Sequence, residues 1–75
     1  MSSREIKPKA LLKAFLKAGF VVRRQRGSHV FIERDIGAGK LMTSISLHNK
    51  PLPLGTLRAI LKQSGLTEGD LHELL

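Results

Sequence analysis

The sequence contains no cysteine, tryptophan or tyrosine, and only six acidic residues stand against thirteen lysines and arginines. Without cysteine there is neither a disulfide framework nor a thiolate metal site. The three histidines, His29, His48 and His72, lack the i, i+4 spacing of a helical zinc pair, so no metal is expected. Aromatic residues are scarce, three phenylalanines in all, which limits the stacking platforms usual in single-strand binding. No apolar run approaches the roughly 20 residues of a membrane span. The opening MSSREIKPK lacks the apolar core of a secretory signal. A soluble cytoplasmic protein without a cofactor is the expectation.

At 75 residues the chain has room for one domain, taken as residues 1–75, with a core near the lower limit of independent stability. A cofactor domain beside a substrate domain is excluded, so any catalysis must come from a few side chains on a small scaffold. The charge is unevenly spread. Residues 1–27 hold eight Lys/Arg against one acid, a net of +7, whereas residues 67–75 hold three acids and no base, a net of −3. The concentrated positive field attracts polyanions, nucleic acid first among them.

KPKALLKAFLKAGF is predicted to form the first helix. Pro8 suits a first helical position, and Gly19 a left-handed cap at the end. Leu11, Leu12, Phe15 and Leu16 recur at helical spacing as an apolar stripe. Lys9, Lys13 and Lys17 follow one another at i, i+4 and i+8 as a basic ridge, either a solvated face or a row for phosphate contact.

FVVRRQ predicts a short strand, Gly27-Ser28 a turn, HVFIER a second strand, DIGAGK a hairpin loop and LMTSISL a third strand. In that third strand Leu41, Thr43, Ile45 and Leu47 alternate with Met42, Ser44 and Ser46, the pattern of a sheet packed on one face only. The second strand carries apolar residues on both sides, so period alone does not say which way His29 points. Phe15 and Phe20 are expected in the core, and Phe31 there in preference to a base-stacking surface.

HNKPLPLG is a loop, and TLRAILKQSG a second helix, capped by Thr56 or the residues just before it and ended by Gly65. Leu57, Ile60 and Leu61 form its buried stripe. Thr67 and Asp70 stand in capping-box spacing at the start of a short last helix, TEGDLHELL. The expected fold is α+β: an α-β-β-β-α sandwich, like the double-stranded-RNA-binding domain. Its three-stranded antiparallel sheet has both helices on one face, followed by a short C-terminal helix.

LLKAFLKAGF, RQRGSHVF and LHNKPLPLGTLRAILKQSGLT together resemble the HicA (YcfA-like) toxins of toxin–antitoxin modules, over residues 11–75. The resemblance implies a ribosome-independent endoribonuclease that cleaves messenger RNA, an mRNA interferase, restrained by a HicB-type antitoxin protein. It places the catalytic histidine of the family's G-S-H at His29. The hairpin loop ERDIGAGKLM is longer than the short turn usual in the family.

The residues allow that chemistry. Metal-free RNA cleavage needs a base to take the 2′-hydroxyl proton, and histidine as a residue type offers both protonation states near neutrality. Arg24, Arg26 and the lysine ridge are candidates for phosphate contact. Ser28 is a candidate for turn geometry and a phosphate hydrogen bond, and His48 for orienting RNA or supplying an acid. His72 is expected on the surface. The competing readings are a strand-initiating structural role for His29, and a non-catalytic RNA-binding module using the same basic surface.

Overall fold

Pro8 opens α1 (Pro8–Lys17), where its missing N–H leaves no donor unpaired. The computed structural model describes residues 6–48 and 50–75. Residues 1–5, part of the stretch in which no secretory signal is expected, lie outside the described residues. Gly19 follows α1 with φ +99°, and the last turn closes through Phe20 N–H to the Phe15 carbonyl (3.0 Å) and Gly19 N–H to that of Leu16 (3.2 Å). This folds Phe20 back onto Phe15, with ring centroids 5.2 Å apart, and both rings lie in the core as expected. The apolar stripe differs from the expected one. Pro8, Leu11, Ala14 and Phe15 are buried, while Leu12 is only half-buried and Leu16 is 44% exposed. Ala14 takes an inward position instead, so the buried face is centred on Leu11, Ala14 and Phe15 and Leu16 lies at its margin.

The three strands β1 (Val21–Arg26), β2 (His29–Asp35) and β3 (Lys40–Ser46) form an antiparallel sheet in the order β1-β2-β3. The loop between β2 and β3 is held by Gly37 N–H to Asp35 Oδ1 (2.8 Å) and Ile36 N–H to the Gly39 carbonyl (3.0 Å). Cross-strand pairing resolves the ambiguity of the second strand. Val30 opposes Ile45 and Ile32 opposes Thr43, all four buried, so these define the inner face. His29 opposes Ser46, Phe31 opposes Ser44 and Glu33 opposes Met42, so these lie on the outer face. Phe31 therefore sits on the outer face, half-buried, rather than in the core.

α2 (Leu54–Ser64) begins two residues earlier than its polar sequence suggested. Pro53 is its N-cap, with φ −57°, and Leu57 N–H donates to the Pro53 carbonyl at 2.9 Å. Thr56 consequently lies inside the first turn and caps nothing; the fixed φ of Pro53 sets the helix entry instead. Leu57, Ile60 and Leu61 are buried as their spacing implied, and the helix ends at Gly65 in the left-handed conformation. α3 (Glu68–Leu74) starts with the expected capping box: Asp70 N–H donates to Thr67 Oγ1 and Thr67 N–H to Asp70 Oδ2, each at 3.0 Å.

Leu11, Phe15, Val30, Ile32, Ile45, Leu57 and Leu71 meet in one core between the helices and the inner face. α1 packs beside α3, and α2 runs along β3. The α+β sandwich is thus as expected; among the described residues no helix layers over the outer face of the sheet, which α2 borders on the β3 side.

Candidate nucleic-acid interface

The position of His29 is set by the turn before it. Arg26 pairs with His29, so only Gly27 and Ser28 connect β1 to β2. Gly27 has φ +58° and Ser28 does not have positive φ, the signature of a type II′ hairpin turn with glycine first. Gln25 Nε2 donates to the Gly27 carbonyl (3.1 Å), and the Ser28 carbonyl accepts from Leu47 N–H (2.7 Å), which ties the turn to the chain leaving β3. The Gly-Ser pair is therefore what the hairpin requires, and it delivers His29 to the first position of β2 with its side chain exposed.

A Cβ added to Gly27 would meet nothing within 4 Å, so a substitution there acts through backbone conformation alone. Gly27→Ala is expected to cost about 1–2 kcal/mol. In a domain of this size that lowers the melting temperature by roughly 4–8 °C per kcal/mol, readable by thermal denaturation.

β1 supplies the cations. Its register shifts between Val22 and Arg24, a bulge in which Arg23 is the extra residue. The bulge brings two neighbouring arginines to bear on the outer face. Arg23 Nε lies 3.4 Å from Glu33 Oε2, and the Arg24 guanidinium lies 5.3 Å from the Phe31 ring centroid. Lys40 Nζ holds the same Glu33 oxygen at 3.3 Å, so that carboxylate is neutralised from two sides. Along β2 the acids Glu33 and Asp35 lie away from the turn, whereas the His29 end is flanked by Arg24 and Arg26. The open face is therefore electrostatically polar, with its positive end at the histidine.

Two shallow grooves meet on this side of the sheet. One, of about 470 Å³, contains His29, Ser44 and Ser46 and is walled by Thr56, Ala59 and Gln63 of α2. The other, of about 640 Å³, contains Arg23, Arg24, Phe31, Met42 and Ser44 and again reaches Gln63. Gln63 is fixed at this junction because the Thr43 hydroxyl donates to its Oε1 at 2.8 Å. The Ser46 hydroxyl, opposite His29, is buried and finds no hydrogen-bond partner among the described residues.

The sequence-derived site residues fall into three groups. His29, Arg24 and Arg26 come together on the outer face, with half-buried Ser28 in the turn beside them. Lys9, Lys13 and Lys17 are exposed on α1, in the helical layer on the other side of the sheet, where Lys17 Nζ donates to the Leu74 carbonyl (3.3 Å). His48 is exposed beyond the end of β3 and lines an apolar depression with Pro8, Pro51 and Leu52, which adjoins the groove that contains His29 and shares Ser46, Leu52 and Thr56 with it. His72 is exposed, as expected. Gln63 and Ser46 were not singled out from sequence. On its helix Gln63 is one polar residue among several, and only the packing of α2 along β3 brings it to the grooves. Among the described residues no three His, Asp or Glu side chains cluster as metal ligands would, and no helix is long and apolar enough to cross a membrane.

A three-stranded sheet with helices on one face and a basic, histidine-bearing open face defines a small α+β domain with the double-stranded-RNA-binding type of fold. Residues 8–66 match the family of HicA toxins of bacterial toxin–antitoxin systems, and the chain belongs to that family. The match covers every element through α2 and leaves α3 outside it. Membership implies an antitoxin partner of the HicB type. No individually curated protein matches the chain.

Proposed function

We propose that this toxin is an endoribonuclease that cleaves messenger RNA without a ribosome or a metal ion, with His29 as its catalytic residue. The observation that carries this reading is the placement of His29: exposed, first in β2, on an open sheet face, with Arg24 and Arg26 beside it and no acid of β1 or β2 at that end. His29 takes the proton of a ribose 2′-hydroxyl, and the freed oxygen attacks the adjacent phosphorus. The bond to the 5′-oxygen of the next nucleotide breaks, and that oxygen leaves with a proton from solvent water. The products are a 2′,3′-cyclic phosphate and a 5′-hydroxyl. Arg24 and Arg26 hold phosphate oxygens and offset the added negative charge. Ser28, small and in the turn, lets the backbone come close.

The lysines of α1 lie in the other layer and add to the general attraction for RNA rather than to contact at His29. The HicB-type partner acts by covering the toxin, and the reaction takes place in the cytoplasm.

Cleavage of end-labelled single-stranded RNA by the purified chain, in EDTA and without ribosomes, tests the reading. Fragments ending in cyclic phosphate are expected, and RNA bound but uncut would favour a non-catalytic binding module. Binding should also weaken with salt, with a slope of log K against log[salt] of about −0.7 per phosphate neutralised. Arg24→Ala is expected to reduce that slope by about 0.7, and Lys13→Ala to leave it unchanged. Equal slopes for Arg24→Ala and the parent would remove Arg24 from the interface.

A further inference from the structure

The groove beside the histidine holds features that phosphate chemistry does not use. Phe31 is half-buried on the outer face, outside the core cluster, and shares that face with His29 two residues away. Two residues along a strand span roughly 6.6 Å, comparable to the reach of one nucleotide in an unstacked strand. The exposed Arg24 guanidinium lies over the ring, 5.3 Å from its centroid. Across the groove Gln63 is held by the Thr43 hydroxyl on its Oε1 (2.8 Å), which commits the amide oxygen and leaves the two amide N–H donors for another partner. Ser44, opposite Phe31, lines both this groove and the one that contains His29.

The geometry points to a nucleobase subsite for the nucleotide adjoining the phosphate at His29, with Phe31 as its stacking platform and Gln63 as its reader. This deepens the ribonuclease reading and rests on it for the position of the scissile phosphate. A base entering the groove takes the place of the Arg24 guanidinium on the ring, and Arg24 swings to a neighbouring phosphate. Stacking is indifferent to base identity, since every base has a π-face. The amide is selective because the bidentate pairing of glutamine with adenine needs the amide oxygen, which Thr43 already holds, whereas the carbonyl oxygens of uracil and guanine need only the free N–H donors. The subsite therefore favours a keto base over adenine.

The test is binding, read without cleavage. The full chain carrying His29→Ala is titrated with fluorescently labelled single-stranded RNA 12-mers that differ at one central position, bearing U, G, A or an abasic nucleotide. Loss of the central base, and Phe31→Leu, should each weaken binding by roughly 5- to 100-fold. The two together should weaken it no further than either alone, because both remove one stack. Gln63→Leu should reduce the preference for U and G over A by about fivefold while leaving the affinity for A nearly unchanged.

Additive effects of Phe31→Leu and the abasic site, equal binding of all four RNAs, or no binding at all would each overturn the subsite. If Phe31→Leu fails to fold, the abasic RNA and Gln63→Leu still decide. The two readings fail separately. A base preference here, with a parent protein that never cuts RNA, removes the ribonuclease and keeps the subsite. Cleavage by the parent with no base preference here does the reverse.

Discussion

Replacing His29 with alanine is expected to lower RNA cleavage by about a hundred- to ten-thousand-fold, the usual contribution of a positioned acid or base. The effect should fall on kcat, because, on the proposed function, RNA is held mainly through Arg24 and Arg26 on the neighbouring strand. Stability should stay within about 0.5 kcal/mol of the parent, as for other surface substitutions away from caps and cores. The structural basis for that separation is the exposure of His29 at the start of β2 and its absence from the core cluster. Urea denaturation of both proteins, run beside the cleavage assay, distinguishes a lost catalytic group from a lost fold. In cells, the same substitution should relieve growth inhibition without reducing the amount of protein. Equal cleavage by parent and variant would move the chemistry to another group. The structural reading of His29 would then stand, since a turn-flanking strand residue needs no reactive role.

Phe15→Ala should have the opposite profile. Phe15 is fully buried, packs tilted against the Phe20 ring and belongs to the core cluster that joins α1 to the inner face of the sheet. Truncating such a ring removes its transfer free energy and leaves a cavity, together about 3–5 kcal/mol. A domain of 75 residues has roughly 4–11 kcal/mol in total, at 0.05–0.15 kcal/mol per residue. The substitution thus removes a large part of the margin and can leave the isolated chain substantially unfolded at 37 °C. Leu16→Ala, one position further along the same helix, is the control. At 44% exposure Leu16 should change stability by no more than about 0.5 kcal/mol. Denaturant midpoints for the two variants therefore test which side of α1 is inside. Similar losses for both would place the stripe where the helical spacing of the leucines first suggested. A bound antitoxin would raise the apparent stability of both by mass action, so the comparison belongs to the toxin alone.

Much of this architecture was legible because several local signals agreed. Pro8 and Gly19 bracketed the first helix, Gly27-Ser28 fixed a hairpin, the alternation from Leu41 to Leu47 gave a one-sided sheet, and Thr67 with Asp70 announced the last helix. Each rests on chemistry within a few residues of itself. The features that were hidden depend on distant partners. Period could not orient β2, because Phe31 is apolar yet lies on the outer face, where Arg24 covers it. The bulge at Arg23 was invisible because nothing in VVRRQR marks the extra residue; only the pairing with β2 does. Leu54 entered the second helix ahead of schedule because a proline, rather than a polar side chain, set its start.

The candidate site was legible in part for the same reason. G-S-H is a local motif, and the resemblance carried His29 directly. The lysine ridge was equally conspicuous in sequence, yet it belongs to the layer behind the sheet. Gln63 carried no signal of its own.

The sheet's dry side and wet side divide the consequences of sequence change between them. Substitutions among Leu11, Phe15, Ile32, Ile45 and Leu57 act on whether the protein persists at all. Substitutions at exposed His29, Arg24 or Arg26 act, on the proposed function, on what a persisting protein does. A lineage can silence this toxin by either route, but the two leave different traces. The first empties the cell of the chain. The second leaves it folded and at full abundance, so a census of protein levels would count the silenced copy as live.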